Sequence, residues 1–545
     1  VTSGVLTDGG STDISVNFEP SASDAGGSTS PASDGSRVPE EVRRRLSPRT
    51  GRDLKSWYAT GVVVLIAAAL RLIGLAHPPG KIFDETYYAT EGQELFDHGV
   101  EWRPEDHRGD FVVHPPLGKW IIGVGEWFFG RNGHGGWLTH GEFGWRISAA
   151  VFGTLSVLLL IRIARRLFGS TILGCAAGLL MALDGMHFVL SRSALLDIFL
   201  MTFILAAFGC LVLDRDQRRA RWLAAMEAGL DPTRRGSAGR PKLGVPWWRL
   251  AAAVMIGCAA AVKWSALWHF LLFVVLIIVW EIAVRRAAGA RRPWRDALLD
   301  ELGWVAAFVG IAVVVYLASW TGWFVTDTGW DRHYLANQLH QRELPVIGAL
   351  QNLWEYHKQA LQFHEGLHDK HRYQSWPWQW LLLGRPVAFY YNGDGSCGAA
   401  SCSSEVLLLG TPVLWWSFLP ALAGLTWFGA SRRDWRAAAI GLGAAAGIVP
   451  WFWYEIKDRT MFFFYALPSL PFLVLAVVYV LGAIIGPAQP RGAPVSDRRL
   501  FGTIFAGVYV GLVALCFAYF YPIYVGKVIT YAQWSARMWL GGRWI

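Results

Sequence analysis

Long apolar runs alternate with short polar turns along most of this chain. A helix that spans a bilayer needs about 20 mostly apolar residues. Stretches near 57–76, 144–163, 171–189, 194–213, 249–267, 268–284, 302–323, 406–429, 437–453, 460–484 and 500–522 meet that length. The pattern predicts an all-α polytopic membrane protein with about eleven transmembrane helices. The pairs within 171–213 and 249–284 are crowded, so one break there changes the count. Two long polar segments interrupt the runs, at about 77–143 and 324–405. Connections longer than about 15 residues are usually functional or disordered. Both segments are rich in aromatics, His and paired charges, which predicts folded loops with amphipathic helices on the membrane surface. One candidate is 86–98, where Tyr87, Tyr88, Gln93, Leu95 and Phe96 mix faces. The other is 117–129, where Leu117, Trp120, Ile121, Val124, Trp127 and Phe128 form one stripe.

Composition narrows the class. Only 17% of the 545 residues are charged and 53% are hydrophobic. Soluble chains average about 25% charged, so a soluble globular protein is excluded. The formal charge of +9 follows from topology. Arg43, Arg44, Arg45, Arg49 and Arg52 precede the first span. Basic clusters recur at alternate turns: Arg162, Arg165 and Arg166, then 215–242, then Arg285, Arg286, Arg291 and Arg292, then Arg432 and Arg433, then Arg491, Arg498 and Arg499. Lys and Arg mark the cytoplasmic side. A multi-pass plasma-membrane protein is predicted, with a cytoplasmic N-terminus and both long loops outside. Membrane lipids account for the charge without nucleic acid. Residues 1–40 are rich in Ser, Gly and Asp and lack an apolar core, so 1–50 reads as a disordered cytoplasmic tail, not a cleaved signal. The remaining 51–545 reads as one membrane unit. Trp57, Trp320, Trp323, Trp415, Trp416, Trp451 and Trp453 sit at span ends, as an aromatic belt does. Cys397 and Cys402 lie close together in a Gly/Ser-rich outer loop and read as a disulfide, with two free thiols as the alternative. The other four cysteines lie in apolar spans as packing residues.

The candidate chemistry gathers at the outer ends of the spans. Asp84 and Glu85 follow the first span directly. An isolated pair of this kind is usually a cap. Here Arg71 lies inside the first span and Arg146 opens the second. Arginine in lipid faces an anion or a polar cavity, and it matches phosphate bidentately. Carboxylates beside guanidinium groups suit an acceptor-activating base next to a phosphate-bearing lipid. Adjacent residues point different ways, so Asp84 and Glu85 take different roles. His114-Pro115-Pro116 is a rigid element, and His114 and Lys119 flank the turn into the stripe 117–129. Asp184, Arg192 and Asp197 lie near the outer ends of two neighbouring spans, paired with one another or functional. Glu455, Lys457, Asp458 and Arg459 crowd a short outer loop before Phe462-Phe463-Phe464-Tyr465, either a lipid-carrier mouth or an aromatic belt. His364-Glu365-Gly366-Leu367-His368 matches a zinc-protease pattern, but Gly366 weakens the helix that pattern needs.

Taken in order, these residues are similar to the protein O-mannosyltransferase family, in its actinobacterial form. Phe83-Asp84-Glu85, Val113-His114-Pro115-Pro116-Leu117, Trp145-Arg146, Ser191-Arg192 with Leu195-Leu196-Asp197, Phe363-His364 with Arg385-Pro386, and Phe463-Phe464-Tyr465 with Pro468 carry the likeness. It covers about 57–540. The resemblance implies a GT-C glycosyltransferase fold and transfer of mannose from polyprenyl-phosphate-mannose to Ser or Thr hydroxyls of exported proteins, with inversion. It implies Asp84 as base and Glu85 as a binder of acceptor or donor. Arg146, with Arg71 and His114, would hold the donor phosphate. Lys119, Arg192, Asp197, His364 and Arg459 would line the substrate site. No metal and no cofactor are expected, and association with the export translocon is a further expectation. The loop 324–405 is too short for the β-trefoil MIR domain of eukaryotic members. Rival readings are a GT-C transferase of arabinose or aminoarabinose, a transporter and a zinc protease.

Overall fold

The structure, a computed structural model, describes residues 38–47, 53–130, 141–489 and 494–545. A short helix, α1 (Glu40–Leu46), corrects part of the expected disordered tail. Val38 and Leu46 pack with Trp222, Met226 and Val284. That burial orders a segment which composition reads as unstructured, since short helices owe their stability to tertiary packing. The rest of that expectation, 1–37 and 48–50, lies outside the described residues.

The first span is α2 (Leu54–Leu72), capped by Asp53, which accepts from the Lys55 amide. The loop after it holds α3 (Glu85–His98) and α4 (Leu117–Phe129), joined through a short ladder of β1 (Trp102–Arg103) and β2 (Arg108–Gly109). Both helices fall where their periodicity placed them. The apolar stripe of α4 does not face the core: Val124, Trp127 and Phe128 are exposed. Its buried face is Gly118, Lys119, Ile122, Gly123, Gly125 and Glu126. A surface helix dipping an apolar face into lipid is built this way. Small residues on the packing side let α3 and α4 touch; a Cβ on Gly123 would collide with the Gly92 carbonyl.

The bundle continues with α5 (Gly141–Phe168), α6 (Thr171–Ala182), α7 (Gly185–Leu190), α8 (Asp197–Glu227), α9 (Trp247–Ala260), α10 (Ala266–Ala287) and α11 (Pro293–Ser319). The second long loop carries α12 (Thr321–Val325), α13 (Tyr334–Asn337), α14 (Ile347–Glu365) and α15 (Pro377–Trp380). It ends in a hairpin of β3 (Val387–Asn392) and β4 (Cys402–Leu408). Then come α16 (Pro412–Arg432), α17 (Trp435–Ala446), α18 (Trp451–Ile456), α19 (Leu470–Ile485) and α20 (Asp497–Tyr524), followed by β5 (Ile529–Thr530) and α21 (Tyr531–Ser535). Among the described residues, nine helical stretches are long and apolar enough to cross a membrane, and α6 and α9 are shorter apolar helices. The crowded expectations at 171–189 and 249–267 are these two. The expected span 406–429 begins later, at Pro412, because 402–408 pairs as a strand and Pro is favoured at the first helical turn.

The sheet order is β3-β4-β5, all antiparallel. A disulfide joins Cys397 and Cys402 in the β3–β4 connection. Trp415 is core and not belt: it is fully buried and donates to Asp184, which also caps α7.

The basic stretch 215–242, a polar connection with room for a connector helix, is helical as far as Glu227. α8 runs on to Glu227 because its charges find partners. Arg218 bonds Glu281 at 2.7 Å, Arg249 bonds Asp214 and Glu281 at 2.9 and 2.7 Å, and Arg285 bonds Glu281 and Glu301 at 2.6 and 3.1 Å. Buried charges persist only when paired in this manner. This network ties α8, α9, α10 and α11 together at the end of the bundle opposite Asp84.

Candidate active site

Asp84 and Glu85 are adjacent in sequence and have opposite fates. Glu85 starts α3 and is fully buried. Its Oε1 accepts from Arg146 Nε at 2.8 Å and from the Ala194 amide at 3.0 Å. Its Oε2 accepts from Arg146 Nη2 at 2.8 Å, the Ile82 amide at 3.0 Å and Trp145 Nε1 at 3.2 Å. Arg146 spends its other donors on the carbonyls of Leu75, Pro78 and Gly80. This bidentate pair fixes the loop 75–85 to α5.

Arg71, also expected at the donor phosphate, and Arg192 and Lys119, expected to line the substrate site, are bonded within the protein. Arg192 donates to the carbonyls of Leu70, Arg71, Ile73 and Gly74, and so caps the end of α2. Arg71 donates to the Ala67 carbonyl and to His187 Nδ1 at 2.7 Å. With Nδ1 accepting, His187 Nε2 carries the proton and donates to Ser156 at 2.8 Å. Lys119 is fully buried and bonded to Glu101 and Glu91; the two carboxylates outweigh its desolvation and raise its pKa. The sequence read these cations as facing a ligand because the cost of burying them was visible and their backbone partners were not.

Asp84 is left available. Its side chain makes no capping bond, and no described residue bonds its carboxylate. Phe83 just before it has φ 49°, a left-handed backbone that a bulky residue adopts only when held there. The hold is aromatic: Phe83 stacks on Phe389 at 4.5 Å and meets Phe464 edge-on at 6.0 Å. Burial pushes the Asp84 carboxyl up to about 6, against the lowering pull of Lys263, with Asp197 and Glu91 adding to the rise.

Lys263 is the residue that sequence reading missed. It sits in the turn between α9 and α10, donates to Asp197 at 2.7 Å, and lies over the rings of Phe464 and Tyr465 at 5.7 and 5.8 Å. Its signal was a single Lys between two apolar segments, at a depth where an unpaired cation is costly. Around the same space stand His114, His364 and Arg459. His114 lies 5.3 Å from His364 and 6.2 Å from Tyr88, ring to ring. Desolvation, with Lys263, His364, Lys119 and Arg459 nearby, drives the His114 pKa far down. Burial beside Arg459 takes His364 to about 4. Both imidazoles are therefore neutral at pH 7. Arg459 donates Nε to the His364 carbonyl at 2.9 Å and Nη1 to the Thr460 carbonyl at 3.3 Å. Asp84, Lys263, Asp197, His114, His364 and Arg459 thus come together from six separate segments.

The zinc-protease pattern does not form a helical pair. α14 ends at Glu365, and Gly366 is its C-cap. His364 Nε2 bonds the Val113 carbonyl, whereas His368 bonds the Asp458 carbonyl. Among the described residues no three His, Cys, Asp or Glu side chains are grouped to hold a metal ion.

A polyprenol-phosphate-mannose–protein mannosyltransferase of Mycolicibacterium smegmatis is 41% identical over 499 residues, which cover 89% of this chain and 92% of the relative. The chain belongs to the protein O-mannosyltransferase family. A relative of the same description from Corynebacterium glutamicum is 31% identical over 88% of this chain and 92% of its own length. Two family models match. Residues 61–231 match "Dolichyl-phosphate-mannose-protein mannosyltransferase", and 349–544 match "C-terminal four TMM region of protein-O-mannosyltransferase". The fold matches that of a chain in the Saccharomyces cerevisiae Pmt1-Pmt2 protein O-mannosyltransferase complex bound to the sugar donor. That likeness has a TM-score of 0.67 at 15% identity and covers 92% of this chain and 94% of the other. This mannosyltransferase-family chain therefore has the GT-C architecture.

Proposed function

We propose that this enzyme transfers mannose from polyprenyl-phosphate-mannose to Ser or Thr hydroxyls of exported proteins. One observation carries the mechanism: Asp84, a half-buried carboxylate with no hydrogen-bond partner among the described residues, lies near Lys263 at one end of a membrane bundle. Asp84 removes the acceptor proton as the hydroxyl attacks the anomeric carbon. The bond from that carbon to the phosphate oxygen breaks on the opposite face, and polyprenyl phosphate leaves. The sugar inverts. Lys263 and Arg459 stabilise the charge that develops on the phosphate. His114 and His364, as neutral imidazoles, hydrogen-bond substrate. Arg146, Arg71, Arg192, Lys119 and Glu85 hold the loops that carry these groups. The scheme uses guanidinium and ammonium charge where other transferases use a metal ion. The site faces the outside of the plasma membrane, where acceptors arrive unfolded from the export translocon.

The test is transfer of labelled mannose from the polyprenyl phosphate donor to a Ser/Thr peptide by the purified enzyme in nanodiscs. Transfer of arabinose or aminoarabinose in preference to mannose overturns the reading.

The base must be ionised to work. Its pKa is raised to about 6, so kcat/KM should rise with pH up to about 6 and then level off. An acid limb near 4, the ordinary carboxylate range, removes Asp84 from that role. In Lys263→Met the charge that holds the Asp84 pKa down is gone. That limb should then move to higher pH, and the rate above it should fall about 10²-fold through lost phosphate stabilisation. A variant that loses rate without moving the limb places Lys263 away from the base.

A further inference from the structure

β3 is an edge strand beside the catalytic carboxylate. It pairs with β4 on one side only. No main-chain bond from another described segment reaches residues 387–392 on the other side. Soluble and membrane proteins alike usually blunt such an edge with Lys, Pro or a covering loop. β3 reads Val387-Ala388-Phe389-Tyr390-Tyr391-Asn392, with no charge and no proline. Its pairing shifts between Ala388 and Tyr390. A bulge of this kind re-aims a side chain, often next to an active site. Here it frees Phe389 to stack flat on Phe83, with 8° between the rings. Phe83 is the residue before Asp84, and Phe464 edges against both rings beneath Lys263. The stacked rings of Phe389 and Phe83 join β3 to the residue before the base.

We propose that the acceptor polypeptide binds in an extended conformation as an added strand on β3, which delivers its hydroxyl to Asp84. The inference rests on the mannosyl-transfer reading and says how the acceptor is held. The occupant is a polypeptide because the edge offers alternating N–H and C=O groups, which only another backbone matches along its length. Binding of this type draws affinity from the main chain and leaves side chains nearly free. It selects a segment without its own fold, since a folded chain has already used those groups.

The experiment is an N-methyl scan. A short Ser/Thr peptide and a series carrying one N-methylated amide each are given to the full-length enzyme with polyprenyl-phosphate-mannose. Methylation of an amide that points at β3 should lower kcat/KM about tenfold, the loss of one hydrogen bond. Methylation of its neighbours should change little, so the losses recur at every second position. A flat profile, or a loss confined to one position, overturns the strand while leaving the transfer reading intact. Failure of the unmethylated peptide to accept mannose overturns the transfer reading and the strand with it. A Tyr391→Cys variant that cross-links two copies, together with a flat scan, assigns the edge to a second copy and likewise overturns the proposal.

Discussion

Asp84→Asn should lower mannosyl transfer by about 10³-fold, within the range that a positioned general base supplies. The measure is single-turnover transfer from polyprenyl-phosphate-mannose at pH 7.5. The loss should fall on the chemical step, with donor binding unchanged. The fold should not suffer, because among the described residues no hydrogen bond to the carboxylate is lost. The folded-state pKa of Asp84 is raised, so its contribution to stability is greatest at low pH and declines as pH rises towards about 6. At neutral pH the ionised carboxylate is a burden that the amide removes. Thermal unfolding of the variant should therefore match or exceed that of the wild type. Wild-type turnover in the variant rejects Asp84 as the base.

Glu85→Gln should do the opposite. The neighbouring carboxylate accepts five hydrogen bonds and balances a buried guanidinium. Breaking one side of a buried ion pair costs about 3–5 kcal/mol, because the other charge stays buried alone. Arg146 would then carry its charge against the carbonyls of Leu75, Pro78 and Gly80 only. The variant should unfold at a markedly lower temperature in nanodiscs. Its remaining folded fraction should turn over at a rate within a few fold of wild type. A variant that keeps wild-type stability and loses all transfer shows that Glu85 acts on substrate. The two variants together separate catalysis from architecture at adjacent positions.

The candidate site was partly legible in the sequence. Motifs named Asp84, His114, Asp197, His364 and Arg459, and the structure brings these five to one place. Lys263 was not legible, because its partner Asp197 lies 66 residues away and one Lys between apolar runs carries no pattern. In the sequence Arg71 and Arg146 point to a phosphate, and Arg192 to a charge partner or the substrate. An arginine in an apolar stretch announces that it must be satisfied, and it does not say by what. Here backbone carbonyls at and just beyond the end of α2 and the Glu85 carboxylate take up Arg146 and Arg192, while Arg71 bonds the Ala67 carbonyl and His187 and leaves its Nε without a partner among the described residues.

The sequence by itself determined the class of the protein. Apolar runs of bilayer length, and the 3.6-residue stripes of α3 and α4, are local properties that need no partner to be read. The ordered motifs determined the family in the same way. Tertiary structure decided everything that depends on pairing across the chain. It turned part of the basic stretch 215–242 into the end of α8, because Glu281 and Glu301 neutralise what α8 and α9 bring. It also divided Asp84 from Glu85. Two neighbouring carboxylates have the same chemistry until one of them meets a buried arginine. Glu85 met Arg146 and became scaffold, and Asp84, beside the strained Phe83, is left with its lone pairs unpaired among the described residues.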